Sequence, residues 1–564
     1  MSWFDERPWL KTGAQHEGYG RPIPDTTMLH LLDEAVRTNS DGPAIRYWGT
    51  TITYREFDAY ARAFAQVLAD GGFGAGDRLG LYMQNVPAFP IAVFAAWKLG
   101  GQVVPLNPMY RGELEHIFND SQPKAIVVSA HAWNDRVAQW AQQIPQIFTV
   151  SEDDFITGQL PPAIAPLMQN TDTGQTDFLT AIRTALESGN TDSVPTEPPV
   201  GPNDPAMIGY TSGTSGRSKG AEILHVGIAH NAQMAKIQNG YGPEHSYFTL
   251  APVFHITGFV TQMLAAVACA STLIMNYRFE PSSVLRMLRE EKPHAMAGPA
   301  TAFLALLAHP ELTGTEFDSF TAINSGGAPV PEALVEKFEE RTGHYVGQGY
   351  GLTETSGQSA AVPQGMRAPV DEKTGTLSAG LPLAATMYRI IDLDGNEVGP
   401  GEVGEICVSG PIIARSYLNN SEATAANIPG GELRTGDVGY MNEDGWLFII
   451  DRVKDMINSS GYKVWPREVE DVLYRHPAVM EAAVVGAPDE YRGETVAAFV
   501  SIKDGQQASE DELIAYCRER LAAYKAPHTV TFIDEVPKNA SGKILRREVR
   551  RAAAEAAEAA GTAG

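Results

Sequence analysis

The sequence predicts an α/β protein built on mainly parallel, doubly wound sheets, with a small β-rich segment and a separate carboxy-terminal unit. Three observations support this fold class. Helical and strand patterns alternate over the first hundred residues, which is typical of a parallel sheet covered by helices. Residues 380–418 contain short strand patterns separated by turn signals. From residue 452 onward the balance of acidic and basic residues changes.

The amino-terminal elements follow from the spacing of apolar residues. Residues 57–68 carry apolar side chains at helical spacing, and Pro90–Leu99 repeats that pattern. Arg78–Met83 and Val103–Leu106 read as short strands that alternate with these helices. This order favours a parallel sheet, because parallel neighbours need a long crossover connection between them.

The middle of the chain combines a polar stretch with an apolar one. Residues 157–205 are rich in Pro, Thr, Asn, Asp and Gly, which predicts a surface excursion with one helix near Phe178–Leu186. Gly258–Tyr277 is twenty residues without a charge, long enough to span a bilayer. It includes five polar side chains and has no comparable second span, so we expect a buried core element.

The later elements are predicted from turn chemistry and composition. Asp394-Gly395 is typical of a hairpin turn, and Glu405–Ser409 reads as a strand. Ala552–Gly564 is rich in Ala and Glu and is expected to fray, as chain ends often do.

Composition excludes several classes of protein. The chain has 564 residues, about four domain-sized units, and its 43% apolar content can fill large cores. A net charge of −25 argues against a protein that binds nucleic acid by neutralising phosphates. Three widely spaced cysteines predict neither disulfides nor zinc and fit a reducing, cytoplasmic setting. No secretory signal or transmembrane span is predicted, while peripheral membrane contact and homo-oligomerisation stay open.

The charge is unevenly distributed along the chain. Residues 1–451 contain 27 Lys and Arg against 50 Asp and Glu, whereas residues 452–564 contain 16 against 18. A strongly acidic body with a nearly neutral tail suggests two units with different partners, although acidic surfaces also simply aid solubility.

The strongest local motif is the glycine-rich segment Tyr210–Gly220. Three glycines allow backbone N–H groups to turn inward, four hydroxyls add donors, and Lys219 supplies a positive charge. Such a loop suits the oxygens of a triphosphate. Its spacing differs from that of the P-loop, in which Gly-Lys-Ser/Thr follows four residues after the first glycine.

Further motifs follow this loop in a familiar order. They are Ser325–Pro329, Gln348–Glu354, Leu433–Asp437, Asp451–Asp455 and Pro537–Ile544. With the loop, they resemble the adenylate-forming superfamily of acyl-CoA synthetases, peptide-synthetase adenylation domains and firefly luciferase. The resemblance covers most of residues 30–550. It implies a large domain of several subdomains over residues 1–450, a hinge at 451–455, and a small mobile α+β domain over 456–564.

The resemblance also implies a role for each matching residue. The catalytic residues would be Lys543, Glu354, Thr211 and Lys219, with Thr211 and Glu354 holding Mg²⁺. Tyr350 would stack on adenine, Asp437 would accept hydrogen bonds from the ribose, and Lys454 would be the pivot of the hinge. The residues expected to bind ATP are Ser212, Gly213, Thr214, Ser215, Gly216, Gly327, Ala328, Pro329, Gln348, Gly349, Tyr350, Thr353, Asp437, Arg452 and Lys454.

The same resemblance places the acid and the thiol. The acid would lie along Phe254, His255, Gly258, Gly326 and Gly351, and CoA would pass Gly461, Tyr462 and Lys463. Phe254-His255 is similar to the pocket wall of fatty acyl-CoA ligases, and no aspartate stands where amino-acid-activating relatives bind an ammonium. The apolar run after Gly258 suits a hydrocarbon chain, and a plain core helix explains it equally well.

The sequence therefore predicts an ATP-dependent ligase that joins a medium- or long-chain fatty acid to CoA through an acyl-adenylate, releasing pyrophosphate and then AMP. An aryl or other carboxylic acid is the alternative substrate, and a carrier protein the alternative acceptor. A non-catalytic nucleotide sensor on the same fold is a further alternative, which the presence of Lys543, Glu354 and Asp437 disfavours.

Overall fold

The computed structural model describes residues 2–16, 18–151, 153–168, 171–190, 193–211, 217–328, 330–371, 376–392, 394–459, 462–489, 493–538 and 544–561. The α-helices of this part are α1 (Pro8–Gly13), α2 (Met28–Asn39), α3 (Tyr54–Asp70), α4 (Ala88–Lys98), α5 (Glu113–Ser121), α6 (Ala130–Ala132), α7 (Phe178–Ser188), α8 (His225–Asn239), α9 (Ile256–Gly258), α10 (Ala265–Ala268), α11 (Pro281–Glu291), α12 (Ala300–Ala308), α13 (Glu332–Thr342), α14 (Ser421–Asn427), α15 (Pro466–Tyr474), α16 (Glu510–Arg518) and α17 (Arg546–Gly561).

The strands of the described residues are β1 (Pro43–Tyr47), β2 (Thr50–Thr53), β3 (Arg78–Tyr82), β4 (Gln102–Pro105), β5 (Ala125–Ser129), β6 (Gln146–Val150), β7 (Thr176–Asp177), β8 (Pro205–Thr211), β9 (Lys219–Leu224), β10 (Ser246–Phe248), β11 (Thr272–Ile274), β12 (Ala295–Gly298), β13 (Ala322–Gly326), β14 (Gly347–Leu352), β15 (Gly357–Ala361), β16 (Leu381–Pro382), β17 (Met387–Ile391), β18 (Gly404–Ser409), β19 (Ser416–Tyr417), β20 (Leu433–Met441), β21 (Leu447–Arg452), β22 (Ile457–Ser459), β23 (Tyr462–Val464), β24 (Val479–Asp489), β25 (Gly493–Ile502) and β26 (Thr529–Phe532).

Two large mixed sheets form the body of the protein. One has the strand order β16-β15-β14-β13-β12-β10-β11-β1-β2, and the other has the order β19-β9-β8-β4-β3-β5-β6-β7. Their central strands are parallel, and antiparallel strands lie at every edge except that formed by β7, which is parallel to β6. Non-consecutive neighbours such as β3 between β4 and β5 arise from helical crossovers. The predicted doubly wound α/β class is confirmed.

Two smaller sheets follow along the chain. The antiparallel sheet β17-β18-β20-β21 carries the predicted turn at Asp394-Gly395, where Gly395 has a φ of +86°. The carboxy-terminal sheet has the order β23-β22-β25-β24, with β26 parallel to β25. Helices α15, α16 and α17 pack with this last sheet. The order of these elements agrees with the predicted β-rich segment and α+β unit.

The hydrophobic cores divide along the chain. One large cluster of buried residues extends from Phe4 to Phe448. A second cluster of the same body lies within residues 82–208. Two further clusters lie within residues 457–530 and 483–553, on the two faces of the carboxy-terminal sheet. Apolar burial of this kind is the main stabilising term of a fold, so the carboxy-terminal unit has cores of its own.

The uncharged segment 258–277 is buried, as predicted. It forms α9, a π-helical turn at Phe259–Leu264, α10 and β11, and its aromatic ring at Phe259 packs edge-on against Phe89 and Trp97. No helix in the described part of the chain is long and apolar enough to cross a membrane.

The carboxy-terminal tail is helical. Helix α17 continues to Gly561, and the expected fraying from Ala552 onward stays a prediction. Ala and Glu are among the strongest helix formers, and their propensity here extends the helix that Arg546 begins.

All three cysteines are buried and free. They are Cys269, Cys407 and Cys517. Burial raises the pKa of these thiols to about 11, 12 and 11 respectively, because the thiolate loses its hydration inside the protein. The predicted absence of a disulfide framework agrees with this arrangement.

Candidate active site

A cavity of about 1080 Å³ opens at the carboxyl ends of strands from both large sheets. Strands β8, β12, β13 and β14 end at its wall, which is where ligands bind in open α/β sheets. The predicted site residues that line it are Thr211, Lys219, Phe254, His255, Gly326, Gly327, Gly349, Tyr350, Gly351, Thr353, Glu354, Arg452 and Lys454. The fold thus gathers residues from most of the separate motifs around one space.

The two ends of the glycine-rich loop are fixed by strand pairing. Thr211 ends β8 and lies directly opposite Lys219, the first residue of β9. The hydroxyl of Tyr210 donates to Asp120 at 2.7 Å, and the ring of His116 lies 2.8 Å from the carbonyl oxygen of Ser218. The ladder therefore brings a hydroxyl and an ammonium to the same edge of the cavity. Ser212, Gly213, Thr214, Ser215 and Gly216 lie outside the described residues.

Asp437 is held by two neighbours of different chemistry. One carboxylate oxygen accepts from the Tyr350 hydroxyl at 2.7 Å, and the other accepts from Arg452 Nε at 2.8 Å. Asp437 and Arg452 are paired directly across β20 and β21. Burial, and next the Asp437 charge, raise the pKa of Tyr350 well above its ordinary value, so its hydroxyl is a donor. These bonds orient Tyr350, Asp437 and Arg452 as one group.

A second positive group reaches the cavity beside Arg452. Lys454 lies in the 3₁₀ turn Val453–Asp455 and lines the cavity wall. Burial, and next the charge of Arg452, lower the pKa of the Lys454 ammonium below its ordinary value. The charges of Asp455 and Asp437 oppose this lowering, and the charge of Lys219 adds to it. A bound polyphosphate would bring negative charge to these cations.

Glu354 and Thr211 supply oxygen donors on the opposite wall. Glu354 lies in the 3₁₀ turn Thr353–Thr355, and the backbone N–H of Ala414 donates to its carbonyl oxygen at 2.8 Å. Mg²⁺ usually binds through one or two carboxylates plus substrate phosphates, so this donor set fits it. Among the described residues no group of three or more His, Cys, Asp or Glu side chains forms a metal cage.

Tyr417 is a cavity residue that the sequence motifs did not predict. Its hydroxyl donates to Glu354 Oε1 at 2.8 Å, and Lys219 Nζ lies 5.0 Å from the centre of its ring. It belongs to the short edge strand β19, which pairs antiparallel with β9. An aromatic residue in a two-residue strand carries no local signal of its position, so only the tertiary structure identifies it.

The apolar arm of the cavity is lined by the segment 250–257 and by residues from three other elements. Phe254 and His255 are part of this wall, as predicted, together with Ile256, Thr261, Phe279 and Ala302. His255 is the N-cap of α9, and its Nδ1 accepts from the Thr257 N–H at 3.3 Å. Small and apolar side chains here leave room for a hydrocarbon or a ring.

The prediction that Gly258 borders this arm is wrong. A Cβ on Gly258 would lie 2.1 Å from the Pro252 carbonyl oxygen and 2.7 Å from that of Ala251. The hydrogen of Gly258 therefore faces packed backbone, and a side chain there would disturb the wall rather than enter the cavity. Most of the apolar run after Gly258 is core, with Thr261 on the cavity side.

Five other predicted residues do not line the cavity. Asp437 is one of them, although Tyr350 and Arg452, to which it is hydrogen-bonded, both do. Gln348 is buried with its amide donating to the Val346 carbonyl and accepting from Tyr345, which occupies its polar atoms. Ala328 is not among the residues that line the cavity. Tyr462 and Lys463 are exposed on β23, where Tyr462 stacks on Tyr524 at 4.7 Å between ring centres. Pro329, Gly461 and Lys543 lie outside the described residues.

Comparison with known proteins adds the family context. The family model "AMP-binding enzyme" matches residues 32–418, and the model "AMP-binding enzyme C-terminal domain" matches residues 468–543. A long-chain-fatty-acid–CoA ligase of Bacillus subtilis (strain 168) is 34% identical over 555 residues, which cover 96% of this chain and 98% of the relative.

Solved structures show the same fold. ATP-bound MatB from Rhodopseudomonas palustris superimposes with a TM-score of 0.81 at 26% identity, covering 93% of this chain and 99% of that one. The anthranilate CoA ligase AuaEII in complex with anthranoyl-AMP gives a TM-score of 0.82 at 25% identity, covering 95% and 99% of the two chains. The Bacillus subtilis relative is named for a long-chain fatty acid, whereas AuaEII is named for an aromatic acid, anthranilate.

Proposed function

We propose a long-chain fatty acid as the substrate of this chain, which belongs to the AMP-binding enzyme family and is an AMP-forming acid–CoA ligase. The observation that carries the proposal is the shape of the cavity, in which a cationic end and an apolar arm share one volume. The identity to the Bacillus subtilis ligase over nearly the whole chain supports the same acid.

The cationic end is suited to ATP. A carboxylate that attacks the α-phosphate approaches an anionic target, so the site must neutralise both groups and hold them in line. Lys219, Arg452 and Lys454 supply positive charge on the described walls. Lys543, by resemblance, would add another during this step. The predicted roles of Tyr350 at adenine and Asp437 at ribose agree with their orientation by mutual hydrogen bonds.

We assign Mg²⁺ to Glu354 and Thr211. When bound, the ion supplies charge neutralisation at the phosphate oxygens. Thr211 would offer its hydroxyl from the end of β8, and Glu354 would offer its carboxylate from the 3₁₀ turn. The Tyr417 hydroxyl donates to Glu354 Oε1, so we expect the ion at Oε2.

The second step joins the acyl group to CoA. The CoA thiol attacks the acyl carbonyl carbon, the new C–S bond replaces the bond to the phosphate oxygen, and AMP leaves with that oxygen. We propose that residues 451–455 are the hinge between a domain over 1–450 and a mobile domain over 456–564. Rotation there would exchange Lys543 for Gly461, Tyr462 and Lys463 at the cavity. The exposure of Tyr462 and Lys463 leaves both side chains accessible for that contact.

A screen of acids tests the proposed substrate. Each buried methylene should add about 0.8 kcal/mol, nearly fourfold in affinity, until the arm is full. Pyrophosphate release with saturated acids of two to eighteen carbons, with and without CoA, should therefore show log(kcat/KM) rising with chain length and then breaking. A preference for benzoate or another aryl acid, with no dependence on chain length, contradicts the long-chain assignment.

A pair of variants on the same wall sharpens the screen. Thr261 lines the arm, so Thr261→Leu should move the break to shorter acids while ATP affinity stays within about twofold. Gly258→Ala is the matched control, because its Cβ meets backbone and should lower activity for every chain length alike. An unchanged break in Thr261→Leu would mean that the acyl chain takes another path.

A further inference from the structure

Tyr417 lies between two opposite charges that face the same cavity. Its hydroxyl donates to Glu354 Oε1 at 2.8 Å, and its ring lies beneath Lys219, whose Nζ is 5.0 Å from the ring centre. One side chain thus contacts both an acidic and a basic group of the site.

The position of Tyr417 is fixed from outside the cavity. Residues of β19 pair with β9, with Tyr417 opposite Ala221, and the Leu418 N–H donates to the Gly220 carbonyl at 2.8 Å. Next to it, Glu222 accepts from Arg415 Nε at 2.9 Å and from the Ser416 hydroxyl at 3.0 Å. Backbone and ion-pair contacts on both neighbours leave Tyr417 little freedom to move.

Tyr417 stands in place of a direct ion pair between Lys219 and Glu354, which their opposite charges alone would favour. Lys219 and Glu354 have opposite charge and line one cavity, and a direct ion pair would place both away from a nucleotide. In the described part of the chain they form no ion pair with each other, because the Tyr417 ring holds the ammonium and its hydroxyl holds the carboxylate. An aromatic face attracts a cation without neutralising it.

We propose that Tyr417 is a positioning residue that keeps Lys219 and Glu354 apart and aimed at the cavity until ATP and Mg²⁺ enter. The proposal rests on the assignment of these two residues to the phosphates and the metal. Two parts of Tyr417 can be tested separately: the ring holds Lys219 by a cation–π contact, and the hydroxyl holds Glu354 by a hydrogen bond. Loss of either part should let the two charges approach each other and compete with the nucleotide.

The test measures ATP binding to the full chain by calorimetry, with and without Mg²⁺ and with no acid present. Tyr417→Phe removes the hydroxyl alone, and we expect the gain in ATP affinity from Mg²⁺ to fall about three- to tenfold. Tyr417→Leu also removes the ring, and ATP affinity should fall about a further five- to tenfold even without Mg²⁺. Tyr54→Phe, which removes another buried hydroxyl in the core, is the control and should change neither quantity.

A double variant distinguishes positioning from general disturbance. If Tyr417 acts through Glu354, then Tyr417→Phe should have no further effect on the Mg²⁺ response in a Glu354→Gln background. Additive losses in the double variant would overturn the proposal, as would a full Mg²⁺ response in Tyr417→Phe beside a lost response in Glu354→Gln. A normal Mg²⁺ response in Glu354→Gln itself would instead refute the assignment of the metal site.

Discussion

His225 is a buried titratable residue that the cavity does not use. It begins α8, has no exposed surface, and its ring meets Trp97 edge-on at 5.2 Å. Among the described residues neither ring nitrogen has a hydrogen-bond partner. Burial lowers the pKa of His225 from 6.5 to about 4, against a smaller opposing effect of Asp204. The folded protein therefore holds the neutral imidazole.

His225 should make the fold sensitive to acid. Below pH 6.5 His225 binds a proton in the unfolded chain but stays neutral in the folded protein. The free energy of unfolding therefore falls as the pH drops toward 4. The loss should reach up to about 3 kcal/mol. His225→Phe keeps a ring against Trp97 and removes the titration, so urea unfolding at pH 5 and 7.5 should show a smaller difference than in the parent. An equal difference in both proteins would refute this role of His225.

Site residues that belong to sequence motifs could be predicted, whereas residues brought to the site only by tertiary packing could not. Thr211, Lys219 and Glu354 belong to motifs whose residue types suit phosphate and metal, and the structure brings them to one cavity. Tyr417 contacts Glu354 from 63 residues away, which no local pattern reports. The prediction for Gly258 was wrong because an uncharged run does not reveal which of its residues face the cavity and which face packed backbone.

The hairpin β20–β21 and the turn after it connect the site to the carboxy-terminal unit. The ladder extends to the pair Asp437–Arg452, and the 3₁₀ turn Val453–Asp455 follows at once. At the last residue of the turn, Asp455 accepts from Arg550 at 2.8 Å. A short turn between two anchored ends is where a change in φ and ψ can rotate one unit against the other.

Freezing this turn should separate the two half-reactions. Proline fixes φ near −65°, which the present 3₁₀ turn accommodates and a rotated one would not. Relative to Lys454→Ala, Lys454→Pro should keep ATP-dependent pyrophosphate release within about threefold and slow transfer to CoA on the order of a hundredfold. Lys454→Ala removes the same charge without restricting the backbone and should transfer normally. Equal transfer rates in the two variants would place the pivot elsewhere.

Regular elements were easier to predict than irregular ones. The patterns at residues 57–68 and Arg78–Met83 match α3 and β3 closely, because α3 buries one apolar face and β3 is buried on both faces. The π-helical turn Phe259–Leu264 and the 3₁₀ turn Val453–Asp455 were not predicted. Over three to six residues their periods cannot be told from that of an α-helix, so a hydrophobic pattern does not separate them.

At the scale of the whole molecule, the net charge of the chain and the membership of its buried clusters both change near residue 452. The acidic body and the nearly neutral tail meet near residue 452, and the buried clusters also divide between Phe448 and Ile457. The two matching family models cover the two sides separately. Composition could suggest this division, but the contacts within each core had to come from the structure.

Separate cores should give separate unfolding transitions. Val484 is fully buried in β24, so Val484→Ala should destabilise the carboxy-terminal unit by about 2 kcal/mol through lost contacts and a small cavity. Differential scanning calorimetry should then show a lower temperature for the smaller transition alone, with the larger one unchanged. A single transition that shifts as a whole would show that the two units unfold together.

The burial of all three cysteines also bears on the chemistry of an enzyme that handles an activated acyl group beside a free thiol. An acyl-adenylate reacts with thiolates, and Cys269, Cys407 and Cys517 are buried with pKa values of about 11 to 12. At neutral pH they present almost no thiolate, and none lines the cavity. Self-acylation and mixed disulfides with CoA are thereby suppressed, which leaves the incoming thiol as the sulfur nucleophile within reach of the intermediate.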